Sequence, residues 1–173
     1  LTPEAINSAP LIEVDTIVTG GTPATPSGSG EEGQKVVTPF ASIVRLQILL
    51  DRAGASPGVI DGLDGGNLRK AIKGFQLLRG LPVDGKVNEG VASALESPDQ
   101  VIGSYLITGD DGAAVVGNLP EDYGELAKLD HLGYQTVEEG LAERFHMDVE
   151  FLRQLNAGAS FAPGETIFVA DLG

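Results

Sequence analysis

The sequence predicts a mainly α chain with a small α+β part: a three-helix bundle, then a strand-helices-strand module with an inserted helix. Three observations predict it. Apolar residues recur at helical spacing through residues 40–95; the pattern then changes to alternation at Ser104–Thr108 and again at Thr166–Val169; and a Gly/Pro/Ser/Thr-rich stretch, Thr19–Gln34, separates the bundle from the N-terminus. The division expected is residues 1–38 for an N-terminal segment and linker, 39–98 for the helical domain and 99–173 for the second module, with its insertion at about 112–135.

In the first segment, LTPEAINSAPLIEVDTIV has enough apolar residues to dock on a neighbour, and Glu4–Asn7 can form a helical turn. The stretch TGGTPATPSGSGEEGQ that follows cannot bury enough surface to offset its ordering entropy, so it reads as a linker.

From Phe40 to Gly54, Phe40, Ile43, Leu46 and Leu50 fall on one helical stripe with Val44 and Leu49 beside it, and Gly54 stops the helix. A second helix is expected over Asn67–Arg79, with Leu68, Ile72, Phe75 and Arg79 in line, Ala71 and Leu78 alongside, and Gly80 at the C′ position. A third fits Glu89–Leu95, capped by Asn88, with Val91, Ala94 and Leu95 inward and Pro98 beyond its end.

Ser104–Thr108 alternates like a strand and runs into the turn-forming Gly109, Asp110, Asp111 and Gly112. Pro120–Leu132 reads as the inserted helix, with Glu121 and Asp122 suited to its N-terminus and Gly133 as a stop. Thr136 and Glu139 have capping-box spacing ahead of a stripe of Val137, Leu141 and Phe145. Asp148 caps a further helix with Val149, Leu152 and Leu155 inward, and Thr166–Val169 closes the module as a strand.

Charge restricts the partners. With 11 Lys plus Arg against 25 Asp plus Glu, the net charge of −14 argues against nucleic acid, whose phosphates require a concentrated basic surface. The same charge opposes anionic lipid or wall teichoic acid, while a glycan bound through hydrogen bonds and ring faces is little affected. Every apolar stretch is broken by a charge or glycine well short of the roughly 20 residues that cross a bilayer, so no membrane span is expected. The absence of Cys removes disulfides, thiolate catalysis and cysteine zinc sites. Leu1–Ala9 has neither a basic n-region nor an apolar h-region, a start that a processed exported chain and a cytosolic chain share.

Chemistry-bearing motifs are sparse. His131 and His146, the only histidines, fall at predicted helix ends, where an imidazolium is favoured by the dipole; with no HExxH and no Cys, no zinc site is expected. No Ser sits in a GxSxG elbow, and the acidic pairs Glu138-Glu139 and Asp110-Asp111 read as solvated faces. An internal echo stands out: Val59-Ile60-Asp61-Gly62 returns about 23 residues later as Pro82-Val83-Asp84-Gly85, each before a helix. In both, Asp can accept backbone hydrogen bonds and Gly can take a positive φ, so Asp61, Gly62, Asp84 and Gly85 are read as shaping loops ahead of binding ligand or metal. DGLDGG supplies only Asp61 and Asp64 as side-chain oxygen ligands and no Glu at the EF-hand position, which rejects calcium of that kind.

Leu46-Gln47, Pro57-Gly58-Val59-Ile60-Asp61-Gly62, Gly65, Ala71, Phe75-Gln76, Gly80-Leu81, Asp84-Gly85 and Ala94-Leu95 together resemble the type 1 peptidoglycan-binding domain over roughly residues 40–97. Leu68 and Val91 stand where that family usually has Thr, and Asn88 where it usually has Gly. Further on, Tyr105, Ile107 and Gly109-Asp110, then Leu141-Ala142, Phe145, Val149, Leu152, Leu155-Asn156 and Pro163-Gly164-Glu165-Thr166-Ile167, resemble a LysM domain with an insertion after its first strand. LysM domains bind N-acetylglucosamine-containing glycans, and the resemblance implies a groove between Thr108, Gly109 and Asp110 on one side and Asn156, Ala157, Gly158 and Ala159 on the other.

The order of the two modules, with LLDRAGASPGVIDG and AKLDHLGYQTVEEGLAERFHM, resembles the N-terminal half of L,D-transpeptidases of Gram-negative bacteria, whose cross-linking is done by a separate Cys-containing domain. The resemblances imply a non-catalytic region that binds peptidoglycan through its glycan strand or its peptide stem. It would be exported, periplasmic or wall-associated, would position a downstream catalytic domain, and would need no cofactor. The alternative is a scaffold that packs on and gates such a domain without glycan affinity.

Overall fold

Helical period translates most directly into structure in the middle of the chain. Ala41–Arg52 forms a helix with Ile43, Val44, Leu46, Ile48, Leu49 and Leu50 all buried. The fold is a computed structural model, which describes residues 1–11, 40–113, 115 and 134–173. The expected linker Thr19–Gln34, the expected helix Pro120–Leu132 and His131 lie outside the described residues. The described residues fall into two units, Leu1–Val101 with Leu172–Gly173, and Ile102–Asp171. They contain seven helices and one two-stranded antiparallel sheet, a mainly α chain with a small β part.

In the first unit, α1 (Pro3–Asn7) begins with Pro at its first turn and Thr2 as N-cap, the Thr2 hydroxyl accepting from Ala5 N at 3.2 Å. It packs against α2 (Ala41–Arg52), buries Ile6, and is followed by buried Ala9 and Leu11. Arg45 anchors this segment by donating to the Ala9 carbonyl at 2.8 Å. Phe40, expected within the α2 stripe, instead precedes the helix as an extended N-cap residue and is 44% exposed. Its N–H donates to Gly62 O at 2.9 Å, tying the extended cap residue to the first Asp-Gly loop.

The next helix, α3 (Gly66–Arg79), buries Leu68, Ala71, Ile72, Phe75 and Gln76. It ends where Gly80 adopts φ 66°, with Leu81 N donating back to Gln76 O at 2.8 Å. Arg79 lies with its guanidinium 5.5 Å from the Phe75 ring centroid. Leu78, expected beside the buried stripe, is 65% exposed, because the stripe narrows toward the end of the helix. In α4 (Glu89–Leu95), Asn88 Oδ1 caps Val91 N at 3.1 Å, and Ala92 fills the inward position expected of Ala94, which is exposed. Fully buried Ile43, Leu46, Ile60, Ile72 and Phe75 each contribute roughly 1.5–3 kcal/mol of apolar burial.

The second unit is closed by its own ends. β1 (Ile102–Leu106) pairs antiparallel with β2 (Thr166–Ala170) in the register Ile102↔Ala170 to Leu106↔Thr166. The first strand starts two residues before the expected Ser104, and Ile107 is buried just past its end. Between the strands lie α5 (Gly109–Ala113), α6 (Val137–Arg144) and α7 (Val149–Leu155). Gly109–Gly112, expected as a turn, lies instead within a short helix. Thr136 caps Glu139 N at 3.2 Å, while the Glu139 carboxylate reaches back to Gln135 N at 2.9 Å, one residue beyond the capping-box partner. Asp148 Oδ1 caps Phe151 N at 2.9 Å.

Leu141, Ala142, Phe151, Leu152, Leu155, Ile167 and Val169 form the core of this unit. Phe145 ends α6 half-buried and meets Tyr105 edge-to-face, with centroids 5.1 Å apart. Val149, expected inward, is also half-buried, and Phe151 takes the deeper position. His146 stands exposed just past α6 with φ 55°.

Two helical glycines differ in what surrounds them. A Cβ on Gly140 of α6 would lie 2.8 Å from Cδ2 of the Tyr134 ring, whereas one on Gly74 of α3 would meet nothing within 4 Å. Helix propensity alone favours Ala over Gly by about 1 kcal/mol at either site, but overpacking costs about 1–3 kcal/mol. Gly74→Ala is therefore expected to stabilise by about 1 kcal/mol, and Gly140→Ala to destabilise by a similar amount. Paired urea titrations measure both, and a gain at Gly140 would show that the ring contact is unimportant.

Candidate functional site

The echoed Asp-Gly loops are built on one repeated device. In the first, Gln47 of α2 is buried: its Oε1 accepts from Asp61 N at 3.2 Å and Gly62 N at 2.8 Å, and its Nε2 donates to Asp61 Oδ1 at 2.8 Å. Asp61 Oδ1 also accepts from Leu63 N at 2.9 Å. In the second, Gln76 of α3 does the same, with Oε1 accepting from Asp84 N at 3.0 Å and Gly85 N at 2.8 Å. Its Nε2 donates to Asp84 Oδ1 at 2.7 Å and Lys86 O at 3.1 Å, and Asp84 Oδ1 accepts from Lys86 N at 2.9 Å.

Gly62 and Gly85 take φ 72° and 76°, the left-handed conformation that brings each N–H onto the glutamine oxygen. Donation from the Gln76 amide, then from the Lys86 N–H, holds the Asp84 carboxyl below its ordinary range. In both loops, Oδ1 of Asp61 or Asp84 and the N–H of Gly62 or Gly85 serve the fold, which leaves little for a ligand in the loop centres.

In the second unit the residue after β1 is joined through its backbone to the loop before β2. Ile107 N donates to Glu165 O at 2.9 Å and Gly164 N to Ile107 O at 2.8 Å, fastening the residue beside Thr108 to the loop before β2. The Glu165 carboxylate gathers that loop, accepting from Ser160 N and Oγ (3.0 and 2.8 Å to Oε2) and from Ala162 N at 3.3 Å. Donation from the Ser160 hydroxyl is the largest influence, and Glu165 is held below the usual carboxylate range.

Asn156 is only 8% exposed, and its amide is used within the chain. Nδ2 donates to Leu152 O at 3.0 Å and Phe168 O at 2.8 Å, and Oδ1 accepts from Phe168 N at 2.6 Å. Asn156 thus ties the end of α7 to β2, and its amide, expected beside a groove, is used within the chain. Ala157 and Gly158 are exposed, Gly158 at φ 90°, and half-buried Ala159 donates its N–H to Asn156 O at 2.9 Å.

Thr108, expected on the other side of the groove, is exposed and follows β1. Its N–H and hydroxyl each donate to Asp111 Oδ2 at 2.8 Å, while Gly109 and Asp110 are exposed at the start of α5. Asp111 also accepts from Tyr105 Oη, 2.9 Å from Oδ2, and from Arg144, 2.8 Å from Oδ1. Arg144 donates to Tyr105 Oη at 2.6 Å and lies 5.6 Å from that ring's centroid. Burial raises the Asp111 pKa most, but donation from Thr108 and Tyr105 and the charge of Arg144 outweigh it and hold the carboxyl below its ordinary range. The group is a charge-assisted cluster that fixes the loop after β1 against the end of α6.

Asp111, expected on a solvated acidic face, is the centre of this cluster, and Gln47, Gln76 and Glu165 stand in the sequence only as motif residues. The repeated Gln, each upstream of an Asp-Gly pair, was the available signal for the clamps. For Asp111, only spacing to a preceding Thr three residues away could have indicated the reverse half of a cap.

Among the described residues no three His, Asp or Glu side chains converge as metal ligands, and no helix is long and apolar enough to cross a membrane. Residues 41–95, from the first residue of α2 to the last of α4, match the family described as "Putative peptidoglycan binding domain", a non-catalytic domain family. No curated protein matches the chain.

Proposed function

We propose that this chain is a non-catalytic region that holds a larger cell-wall protein against bacterial peptidoglycan. The match of residues 41–95 to a peptidoglycan-binding family carries the reading. The second unit, with its LysM-like strand-helices-strand order, is proposed as an accessory wall-binding module whose groove lies between Thr108–Asp110 and Asn156–Ala159. The partner it positions is proposed to be a downstream catalytic domain of the L,D-transpeptidase kind, in an exported, wall-associated protein.

Shallow sites for hydrated sugars or peptides bind with dissociation constants on the order of millimolar to micromolar. Two linked sites on a polymeric wall can raise avidity by about 10² to 10⁴ if both engage. The chain is expected to sediment with purified insoluble sacculi at low and moderate salt; retention in the supernatant at both would reject wall binding.

A second reading, a scaffold that packs on and gates the catalytic domain, is favoured by the internal use of the Asn156 amide and the Asp111 carboxylate. NMR titration with a chitooligosaccharide separates the two for the second unit. Localised shifts at the groove support sugar binding, and their absence with intact sacculi binding leaves the second unit as scaffold.

A further inference from the structure

The net charge of −14 conceals a local inversion. Between residues 69 and 86 there are five basic residues, Arg69, Lys70, Lys73, Arg79 and Lys86, and one acidic residue, Asp84. Arg69 pairs with Asp64 at 3.2 Å and Arg79 lies against Phe75, which leaves Lys70 and Lys73 exposed and in no salt bridge among the described residues, with Lys86 exposed near the Asp84 carboxylate. Lys70, Lys73 and Leu77 share one stripe of α3, at i, i+3 and i+7. Leu77 is 73% exposed, and Val83, in the adjoining loop, is 53% exposed. The face is therefore cationic with apolar residues among its charges.

Lys73 is held in place on this face. Its side chain runs over Gly85, where a Cβ would come within 2.8 Å of Lys73 Cε, so the clamped loop directs the lysine stem along its surface.

The internal repeat supplies a comparison within the molecule. Relative to the clamp glutamine, Lys73 and Leu77 occupy the positions three before and one after Gln76; around Gln47 the same positions are Val44 and Ile48, both fully buried in the helix that α1 covers. At these positions one copy of the helix is buried. Its counterpart is open and basic.

We infer that Lys70, Lys73 and Leu77 of α3, with Val83 and Lys86 of the following loop, form the docking face for the carboxylate-bearing peptide stem of peptidoglycan. This rests on the wall binding proposed above and selects the stem over the glycan strand. An N-acetylated glycan strand whose lactyl groups are amidated by stems is neutral and gives three ammonium groups nothing to pair with. Peptide stems carry free carboxylates from acidic side chains and their C-terminus, together with alanine methyls, which complements a face of lysines around Leu77 and Val83. Single exposed ion pairs are weak and screened by salt, so the face works through several at once.

The test uses the full chain and a soluble disaccharide-tetrapeptide fragment, with a chitooligosaccharide as the stem-free probe. Amide shifts on adding the fragment are expected to map to residues 70–86 and to weaken at high salt. The triple variant Lys70→Glu, Lys73→Glu, Lys86→Glu should lower affinity at least about tenfold, and the triple Arg variant should retain it. Chitooligosaccharide titrations should be alike in all three proteins.

A triple Glu variant with native circular dichroism and wild-type fragment affinity would overturn the inference, as would shifts mapping elsewhere. Should charge reversal unfold the unit, the pair Lys70→Gln, Lys73→Gln is read in its place by the same criterion. Displacement by poly(glycerol phosphate) at lower concentration than by the fragment would reassign the face to a phosphate polymer and overturn the stem reading. Equal sedimentation of wild type and the triple Glu variant with sacculi would remove the stem face but leave wall binding standing. If wild type itself does not sediment, both fall.

Discussion

Gln76→Ala is expected to destabilise the first unit by about 3 kcal/mol, since it leaves the part-buried Asp84 N–H and the buried Gly85 N–H without their acceptor and removes both Nε2 donations. Small helical units have little stability in reserve, so a loss of this size is expected to populate the unfolded state of this unit at physiological temperature. Urea unfolding followed by circular dichroism measures it, and a loss below about 1 kcal/mol would show that water replaces the clamp. Gln76→Glu discriminates further. It keeps an acceptor for both N–H groups but sets a second carboxylate 2.7 Å from Asp84 Oδ1, so its stability should be lowest near pH 7 and recover as the new group protonates in mild acid.

Asp111→Asn is expected to destabilise the second unit by about 2–3 kcal/mol, because the substituted amide cannot accept from Thr108 N, Thr108 Oγ1, Tyr105 Oη and Arg144 as one carboxylate does. The pH dependence has a definite sign. The folded-state pKa of Asp111 lies below its ordinary value of 3.8, so its stabilisation is present above that value and is lost as pH falls through the folded pKa. Asp84 and Glu165, also lowered, lose their stabilisation in the same direction. The acid limb of stability for the second unit should therefore be shallower in Asp111→Asn than in wild type. Thermal melts between pH 2 and 6 check this, and parallel limbs in the two proteins would assign the acid sensitivity elsewhere.

The elements that were legible in the sequence are those whose signals are local. Apolar period located α2, α3 and α4, and Gly80, Asn88, Thr136 and Asp148 marked helix ends because cap geometry is decided within four residues. Phe40 falls at the cap and outside the stripe, its extended backbone bonded to Gly62, a partner that no pattern around residue 40 announces. Gly109–Gly112 looked like a turn by composition, and what makes a short helix there is the Asp111 carboxylate returning to Thr108. Among the proposed groove residues, sequence spacing could place Asn156 at a helix end. It could not reveal that both edges of its amide face Phe168, because that pairing exists only once β2 is in position. The charged face of α3 was hidden for a different reason, since a whole-chain charge averages over both units.

The pairing of Ile102 with Ala170 has a consequence for the order in which the chain acquires structure. The clamps of the first unit join residues 14 and 8 positions apart, close enough to form while the surrounding chain is still fluctuating. The sheet of the second unit must bring together residues near 102 and 170 at its opposite ends, and the entropy of closing that loop opposes every intermediate in which the strands are apart. During synthesis the helical unit can acquire its clamps as it emerges, whereas the second unit must await its last strand. A ribosome stalled before residue 166 would thus carry the clamps of the first unit and an unclosed second unit, whose β1 edge stands open to wrong pairing.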